Sequence, residues 1–222
     1  MKRFALFVAV FCLLCFAAEA QQYEVFGGLS LPYISYPDAP RQVKGRSEIV
    51  PSFHLGVRTY INFSKNWEHP VLYGIAGLAF SGKGYKLNNQ PDWAYLYTDY
   101  SQKGYGYGLD VPLHLGFRIK LIEGLAMWIE TGPTVSFGLF GKWTRELGYN
   151  GKVGTKESGD YYERNSECGF AHLEASLSGS LGVEINGKYF IRGGYDHGLV
   201  NQNGYPYQSR SRNILVSFGY SF

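Results

Sequence analysis

Hydrophobic and polar residues alternate with a period of two along most of this chain. The clearest case is residues 212–222, where one face of an extended segment is apolar up to the last residue. That face carries Ile214, Val216, Phe218, Tyr220 and Phe222, and the opposite face is mostly small or polar. Successive side chains of a strand point to opposite sides, so the pattern predicts a β-strand with one apolar face. A strand of a membrane barrel presents such a face to acyl chains.

The same alternation recurs in seven further segments. It is clear at residues 53–63, 105–119 and 171–185, and weaker at 23–32, 71–86, 125–140 and 188–200. A sheet in lipid has to close, because no water is present to satisfy an open edge. We therefore predict an all-β fold, an eight-stranded antiparallel up-and-down transmembrane β-barrel of the outer-membrane type.

The connections between these segments alternate in length. Long polar connections are predicted at 33–50, 87–103, 141–167 and 201–210, and short turns at 64–70, 121–124 and 185–187. Long loops at one end and short turns at the other are typical of outer-membrane barrels, whose short turns lie in the periplasm. The long loop at 141–167 is highly charged, and we expect it to be mobile.

The third short turn makes a prediction about register. A three-residue loop at 185–187, with Gly187 in the left-handed conformation, keeps the apolar faces of both strands on one side. It also places Glu184 opposite Lys188 inside the barrel.

Two prolines allow a second prediction about the register of the strands. Pro112 and Pro133 cannot donate a backbone hydrogen bond, and a closed sheet has no free edge to accommodate them. Pairing Leu121 with Leu125 sets Pro112 opposite Thr134, so that both missing donors fall at one height. The sequence therefore predicts one bulge or one gap in the ladder at that point.

The N-terminus has the features of a secretory signal peptide. Lys2 and Arg3 precede an apolar run at 4–18, and Ala18-Glu19-Ala20 forms a small-residue cleavage site. The apolar run is too short to favour the alternative of a membrane-spanning helix. We predict a signal peptide at 1–20, cleavage near Ala20 and one barrel domain at 21–222.

Composition narrows the class further. Removing two basic residues and one acidic residue with the signal peptide changes the totals from 21 and 18 to 19 and 17, so we expect no nucleic-acid partner. A mean hydropathy of −0.18 without a second long apolar stretch excludes a helical membrane protein. The 17% of aromatic residues, with 19 Tyr and 29 Gly, is typical of barrels. Cys168 alone survives cleavage, so no intramolecular disulfide is expected.

The second face of the predicted strands collects charged and histidine side chains. These are Arg58, Asp110, His114, Arg118, Glu130, His172, Glu174, Glu184, Arg192 and Asp196. An eight-stranded barrel has an interior just wide enough to be filled by side chains. Charges in such a space have to be paired and hydrogen-bonded. We therefore favour an interlocked ionic core over an ion path or a ligand pocket.

The same faces offer little for catalysis or for a metal. His54, His114 and His172 face inward on three different strands without close-spaced partner ligands, so we predict no metal and no cofactor. His172, Glu174 and Ser176 share one strand face, but no nucleophile elbow accompanies them. We predict no catalytic residues, and a lipid-modifying hydrolase remains only a third alternative.

A tyrosine-rich segment at 91–107 is the strongest candidate for a binding loop. It includes Trp93, Tyr95, Tyr97 and Tyr100. Such side chains stack on sugars or pack against a partner protein. We favour the simpler interpretation, an aromatic girdle that continues above the membrane.

Five segments together resemble the PorT-like outer-membrane β-barrel family. They are AFSGKGYK (79–86), LDVPLHLGFR (109–118), GPTVSFGLFGK (132–142), FIRGGYDHGLVN (190–201) and RNILVSFGYSF (212–222). Their order and spacing carry the resemblance, and Gly77 departs from it because the family pattern has a carboxylate there. The resemblance implies an integral outer-membrane barrel, and the family's namesake serves in assembling a protein-secretion apparatus.

The chain ending also resembles the C-terminal aromatic signal of Gram-negative outer-membrane barrels, with Phe218, Tyr220 and Phe222 as its residues. We therefore expect a location in the outer membrane. The expected partners are outer-membrane lipid, the barrel-assembly machinery and envelope or secretion proteins. The expected role is structural or interactive. The alternatives are a small-solute pore and a secreted soluble barrel that binds a small ligand.

Overall fold

The described part of the protein is almost entirely β-strand. The computed structural model describes residues 22–37, 47–63, 70–88, 99–149, 152–163, 169–202 and 208–222. The strands are β1 (Gln22–Ser35), β2 (Ser47–Glu48), β3 (Ser52–Asn62), β4 (Val71–Asn88), β5 (Asp99–Ile122), β6 (Leu125–Tyr149), β7 (Lys152–Asp160), β8 (Leu173–Ile185), β9 (Tyr189–Gly198) and β10 (Arg210–Ser221). The signal peptide predicted at 1–20 and Cys168 lie outside the described residues.

Eight of these strands close into a ring. The order around it is β1, β3, β4, β5, β6, β8, β9 and β10, and β10 pairs back to β1. Every neighbouring pair is antiparallel. The predicted eight-stranded antiparallel barrel is therefore confirmed. The two remaining strands are additions, since β2 pairs with β4 and β7 pairs with β6.

The alternation of the sequence sorts side chains between the outside and the lumen. On β10, Ile214 and Phe218 are exposed on the outer surface whereas Ser217 and Ser221 are buried inside. On β8, exposed Leu177 and Leu181 alternate with buried Ser178 in the same way. The barrel thus has an apolar exterior and a polar interior, the reverse of a soluble globular protein. No helix in the described ranges has the length and apolar character needed to span a membrane.

The two ends of the barrel differ. At the turn end, the chain terminus pairs with the first strand through Tyr23 N–H to Phe222 O at 3.0 Å and Phe222 N–H to Tyr23 O at 2.9 Å. The tight turn after β5 lies at the same end, where Gly124 has φ 76°. The strand ends that lead into the longer connections, together with β2 and β7, lie at the opposite end, the loop end.

The residue pair that closes the turn between β8 and β9 lies one residue farther along the chain than predicted. Asn186 and Gly187 both have positive φ, and Lys188 N–H donates to Ile185 O at 3.1 Å. Ile185 is therefore paired with Tyr189, and the predicted pairing of Glu184 with Lys188 is wrong. Asparagine tolerates the left-handed conformation better than most residues, which permits two consecutive residues in it. The inward and outward faces still match, as predicted.

The proline gap is observed, although Leu125 pairs with Ile122 and not with Leu121 as predicted. Pro112 lies opposite Thr134, and the ladder between β5 and β6 skips the next two pairs before resuming at Leu115 and Thr131. Pro133 nevertheless keeps its place opposite Leu177 on β8. The two missing donors thus interrupt one strand pair at one height, while the neighbouring pairing of β6 with β8 is continuous.

The prediction of a mobile loop at 141–167 is wrong for most of that segment, which forms strands. β6 continues to Tyr149, and β7 folds back along it from Lys152 to Asp160. Arg145 pairs with Glu157 at 2.5 Å, and Lys156 pairs with Glu146 at 2.7 Å. The hydrogen bond and charge of Lys156 lower the pKa of Glu146. The charges that suggested mobility instead join the strands of a hairpin that extends beyond the ring.

Candidate functional site

The interior at the turn end holds three ion pairs. Arg192 on β9 pairs with Glu24 on β1 at 2.9 Å, and Arg58 on β3 pairs with Glu130 on β6 at 2.9 Å. Arg118 on β5 pairs with Glu184 on β8. The side chains of the first two pairs are at most 9% exposed. Five of these six residues were expected inside, and Glu24 was missed.

One aromatic ring joins two of these pairs. Phe26 has the guanidinium of Arg192 at 4.6 Å and that of Arg58 at 5.0 Å from its ring centroid. Arg192 also lies over the rings of Phe190 at 5.3 Å and Trp128 at 5.9 Å. Cation–π attraction is strongest where water is excluded, so the rings supplement the carboxylates as partners of the guanidinium groups.

Two tyrosines complete this layer. The Tyr60 hydroxyl donates to Glu24, and the Tyr73 hydroxyl donates to Glu130 at 3.3 Å. The Ser180 hydroxyl donates to Glu130 at 3.1 Å. Glu24 and Glu130 therefore each have a positive partner and at least one neutral donor, which offsets the cost of removing them from water.

A second cluster lies toward the loop end. Lys83 on β4 pairs with Glu174 on β8 at 2.6 Å and lies 3.8 Å from Asp110 on β5. The Ser81 hydroxyl donates to Asp110. Lys83 was not among the predicted interior residues, although it connects the two predicted carboxylates.

Hydroxyl groups connect the remaining polar residues. His114 is hydrogen-bonded to Thr134 at 3.0 Å, and Thr134 to Ser178 at 2.8 Å. Ser178 in turn is hydrogen-bonded to the Asp196 carboxylate. The sequence placed His114 and Asp196 inside, and the structure connects them through two hydroxyl side chains.

His172 was predicted to lie in the interior, and the structure places it elsewhere. It is exposed at the rim of the barrel, where its ring stacks on Tyr162 at 5.2 Å and Phe137 at 5.9 Å. Its Nδ1 is 2.9 Å from the Gly138 carbonyl oxygen. The regular alternation of β8 begins only at Leu173, so extrapolating it back to His172 was wrong.

The candidate triad of His172, Glu174 and Ser176 has other partners. Glu174 is bound by Lys83, and the Ser176 hydroxyl donates to the Thr134 carbonyl at 3.4 Å. With His172 at the rim, the three groups do not form a nucleophile, base and orienting acid. Among the described residues, no group of three or more His, Cys, Asp or Glu side chains has the arrangement of a metal site.

An aromatic cap fills the loop end of the lumen. It consists of Ile34, Tyr85, Leu87, Tyr161, Tyr162 and Phe170, all buried. Phe170 N–H donates to Tyr161 O at 2.7 Å, and the Tyr162 hydroxyl donates to Tyr107 O at 3.2 Å. Burial raises the pKa of Tyr161 well above its usual range. The sequence did not predict this cap.

Inward-facing glycines make room for the cap. A Cβ at Gly138 would lie 2.1 Å from the Tyr162 ring, and one at Gly106 would lie 2.5 Å from the Tyr161 ring. The signal available in the sequence was the run GYGYG at 104–108, in which every second residue lacks a side chain. A missing side chain on an inward face requires a large residue from elsewhere to fill the space.

We expect Gly138→Ala to destabilise the barrel by roughly 1–3 kcal/mol, because the added methyl group forces Tyr162 out of its packed position. The matched control is Gly179→Ala on β8, where a Cβ would have no neighbour within 4 Å. Urea unfolding of the folded barrel, monitored by near-ultraviolet circular dichroism, measures both. Equal unfolding midpoints for the two variants would show that the cap does not depend on this close contact.

Small cavities lie between the cap and the turn end in the part of the lumen that the structure describes. A central cavity of about 50 Å³ is lined by His54, His114 and Ser217, among others, and a second of about 40 Å³ lies under the cap. Beyond Phe26 and Arg192, a third of about 10 Å³ adjoins Glu24. A cavity needs about 10–15 Å³ of such space to hold one water molecule, so these cavities suit a few waters rather than a solute.

Three of the four predicted binding aromatics, Trp93, Tyr95 and Tyr97, are outside the described residues. The fourth, Tyr100, belongs to β5. A different aromatic group is present on the outer surface near the loop end. We call it the outer aromatic group: Phe53, Phe80, Tyr107 and Phe140, with ring centroids 5.4–6.4 Å apart.

No family model and no curated protein matches the chain. Among solved structures it is similar to Ail, the attachment invasion locus protein of Yersinia pestis, at 13% identity and a TM-score of 0.39, covering 92% of this chain and 99% of that one. It is similar to the outer membrane protein OprG from Pseudomonas aeruginosa at 11% and 0.42, covering 92% and 97%. It is similar to the outer membrane enzyme PagL at 10% and 0.34, covering 90% and 98%. At these identities and TM-scores, nothing about function is transferred from them.

Proposed function

We propose that this protein is an integral outer-membrane β-barrel with a closed interior, and that it has a structural or interaction role. The observation that carries the proposal is the inversion of polarity in a closed sheet. The charged residues Arg58, Glu130 and Arg192 are buried in the lumen, whereas Leu177 and Leu181 are exposed outside. Lipid is the environment in which such an exterior is stable.

Aromatic groups near both ends support a membrane position. The outer aromatic group lies near the loop end. An inner aromatic group, Tyr23, Tyr189, Tyr220 and Phe222, lies at the turn end with ring centroids 5.4–6.3 Å apart. Rings of this kind mark the two interfaces of membrane barrels. A secreted soluble barrel would gain nothing from exposing them.

The filled lumen favours a closed barrel over a small-solute pore. The ion pairs and Phe26 occupy one end, the aromatic cap occupies the other, and the described cavities between them have room for a few waters. Glu174 pairs with Lys83, and the Ser176 hydroxyl donates to the Thr134 carbonyl. These partners lie outside the candidate triad and favour a non-enzymatic role. With its interior occupied, the barrel has its loop end and its rim available for interactions.

The partners follow from the same proposal. Phe218 on the last strand and Phe222 directly after it are exposed, where an assembly signal would be accessible to the barrel-assembly machinery. Outer-membrane lipid is the expected partner of the apolar outer surface of the barrel. The resemblance of the sequence to the PorT-like family favours a secretion or envelope protein as a further partner at the loop end.

Cell fractionation tests the proposal. We expect the protein in the outer-membrane fraction, with a mobility on gels that changes on boiling, because closed barrels unfold only on heating. We also expect no conductance above background after reconstitution in a planar bilayer. Recovery as a stable monomer in buffer without surfactant would refute the membrane assignment. Stable single-channel steps would replace the closed barrel with a pore.

A further inference from the structure

Three lysines lie together on the outward face at the loop end. They are Lys86 on β4, Lys103 on β5 and Lys142 on β6, and we call them the lysine patch. We propose that Lys103 and Lys142, with Lys86 beside them, bind the phosphate of a lipid headgroup in the outer leaflet. The inference rests on the proposed function, since it requires the barrel to span that leaflet.

The register brings the three side chains together. Lys86 and Lys103 are directly opposite each other across β4 and β5. Lys142 lies opposite Tyr105, one position diagonal to Lys103 on the next strand pair. Diagonal neighbours on a sheet are roughly 7–8 Å apart, within reach of two lysine side chains that converge on one ligand. Like charges placed directly opposite destabilise a strand pair, and Glu48 on β2 offsets this for Lys86 but not for Lys103.

The acidic residues around the patch are mostly engaged. Glu48 pairs with Lys86 at 2.8 Å, and Glu146 pairs with Lys156 at 2.7 Å. Asp160 lies opposite Lys142, but its Oδ1 accepts the Tyr162 N–H at 2.9 Å.

Lys103 and Lys142 are exposed, and neither has an ion-pair partner within 4 Å among the described residues. Lys103 acts on Glu146 only as a more distant charge. Two ammonium groups are therefore available to a phosphate.

The position of the patch identifies the phosphate as part of a lipid. Phe80, Tyr107 and Phe140 of the outer aromatic group lie on the same three strands, on the same face, a few residues closer to the apolar belt. Phe80 and Tyr107 are stacked with their centroids 5.7 Å apart. An acyl chain lying along these rings places its headgroup beside Lys103 and Lys142. On β8 and beyond β9, the exposed residues at this end include Leu173, Leu199 and Val200, so these strands present apolar side chains where β4, β5 and β6 present lysines.

The test uses the mature barrel in phosphatidylcholine nanodiscs that contain either bisphosphorylated lipid A or its dephosphorylated form. We expect native mass spectrometry to detect bound phosphorylated lipid A and little of the dephosphorylated form. Removal of charge near an anionic lipid weakens binding roughly fivefold for each lysine, so K103Q/K142Q should weaken it roughly thirtyfold. D160N should strengthen it, because it removes the carboxylate that lies opposite Lys142.

The matched control is K120Q/K188Q, which removes two exposed lysines at the turn end. It should bind phosphorylated lipid A as the parent does. Equal binding of both lipid forms, equal losses in the two double variants, or full competition by millimolar inorganic phosphate would each overturn the site. A barrel that enters nanodiscs but shows no lipid preference contradicts this site alone. A barrel that never enters nanodiscs contradicts the proposed function as well.

Discussion

Replacing Arg192 with methionine is expected to destabilise the barrel by about 3–5 kcal/mol. Arg192 is the positive partner of Glu24 at 2.9 Å, and both side chains are at most 3% exposed. Methionine has a similar length and packs well against aromatic rings, so the variant keeps contacts with Phe26 and Phe190. It leaves the Glu24 carboxylate buried with the Tyr60 hydroxyl but without its ion-pair partner, since Arg58 opposite it on β3 pairs with Glu130.

The double variant E24Q/R192M separates this cause from a loss of packing. It removes both charges, and a neutral pair of similar volume often matches or exceeds the stability of a buried ion pair. We expect it to recover most of the lost stability in urea unfolding of the reconstituted barrel. Lys86→Gln, which breaks the exposed pair with Glu48, should cost roughly 0–1 kcal/mol. The interior pair would not stabilise the fold if R192M lowered the free energy of unfolding no more than Lys86→Gln does. The same would follow if adding E24Q to R192M restored no stability.

The faces of the strands were predictable from the sequence because a membrane barrel separates polarity by alternate residues. Leu177, Ser178 and Leu181 on β8 are each on the predicted side. The proline gap was also predictable, since Pro112 and Pro133 lack donors whatever surrounds them. Both predictions depend only on local chemistry and on pairing between sequence neighbours.

The ion-pair partners were not predictable, because they depend on distances across the lumen. Arg118 lies opposite Trp128, as the register implied, yet its carboxylate partner is Glu184, one strand farther along. Arg58 on β3 reaches Glu130 on β6, with two strands between them in the ring. Pairing along a hairpin gives no information about such contacts.

Glu24 and Lys83 were missed for a different reason. The inward face of β4 begins with Val71, Tyr73 and Ile75, which form a buried apolar cluster with Tyr60 at the turn end. The two faces of that strand therefore differ little in polarity at their start, and the alternation is weak. On β1, Phe26 lies on the same inward face as Glu24 and obscures it in the same way.

The aromatic cap shows a further limit of sequence patterns. Tyr105 and Tyr107 were assigned to a girdle, and Tyr105 is indeed exposed on the outer surface. Gly104 and Gly106 beside them were informative, but the residues that they contact, Tyr161 and Tyr162, lie more than fifty residues away in the chain. Only the return of the β6–β7 hairpin over the lumen brings the two segments together.

Replacing Leu181 with arginine is expected to destabilise the barrel in a bilayer by about 2–4 kcal/mol, the cost of a cation near the middle of the lipid-facing surface. Leu181 is 65% exposed and lies on the outer face of β8, between the two aromatic groups. It contacts no interior charge that could pair with a guanidinium. Folding titrations into vesicles, followed by gel mobility without boiling, measure the change.

Thr155→Arg is the matched control, because Thr155 is exposed on β7 beyond the ring and should tolerate arginine in water. The comparison distinguishes the two environments that an apolar exterior permits. A barrel in lipid loses stability only with L181R, whereas a soluble barrel tolerates both arginines and becomes more soluble with L181R. Since exposed leucine is costly in water and favourable in acyl chains, the sign of the L181R effect is set by the solvent that surrounds β8.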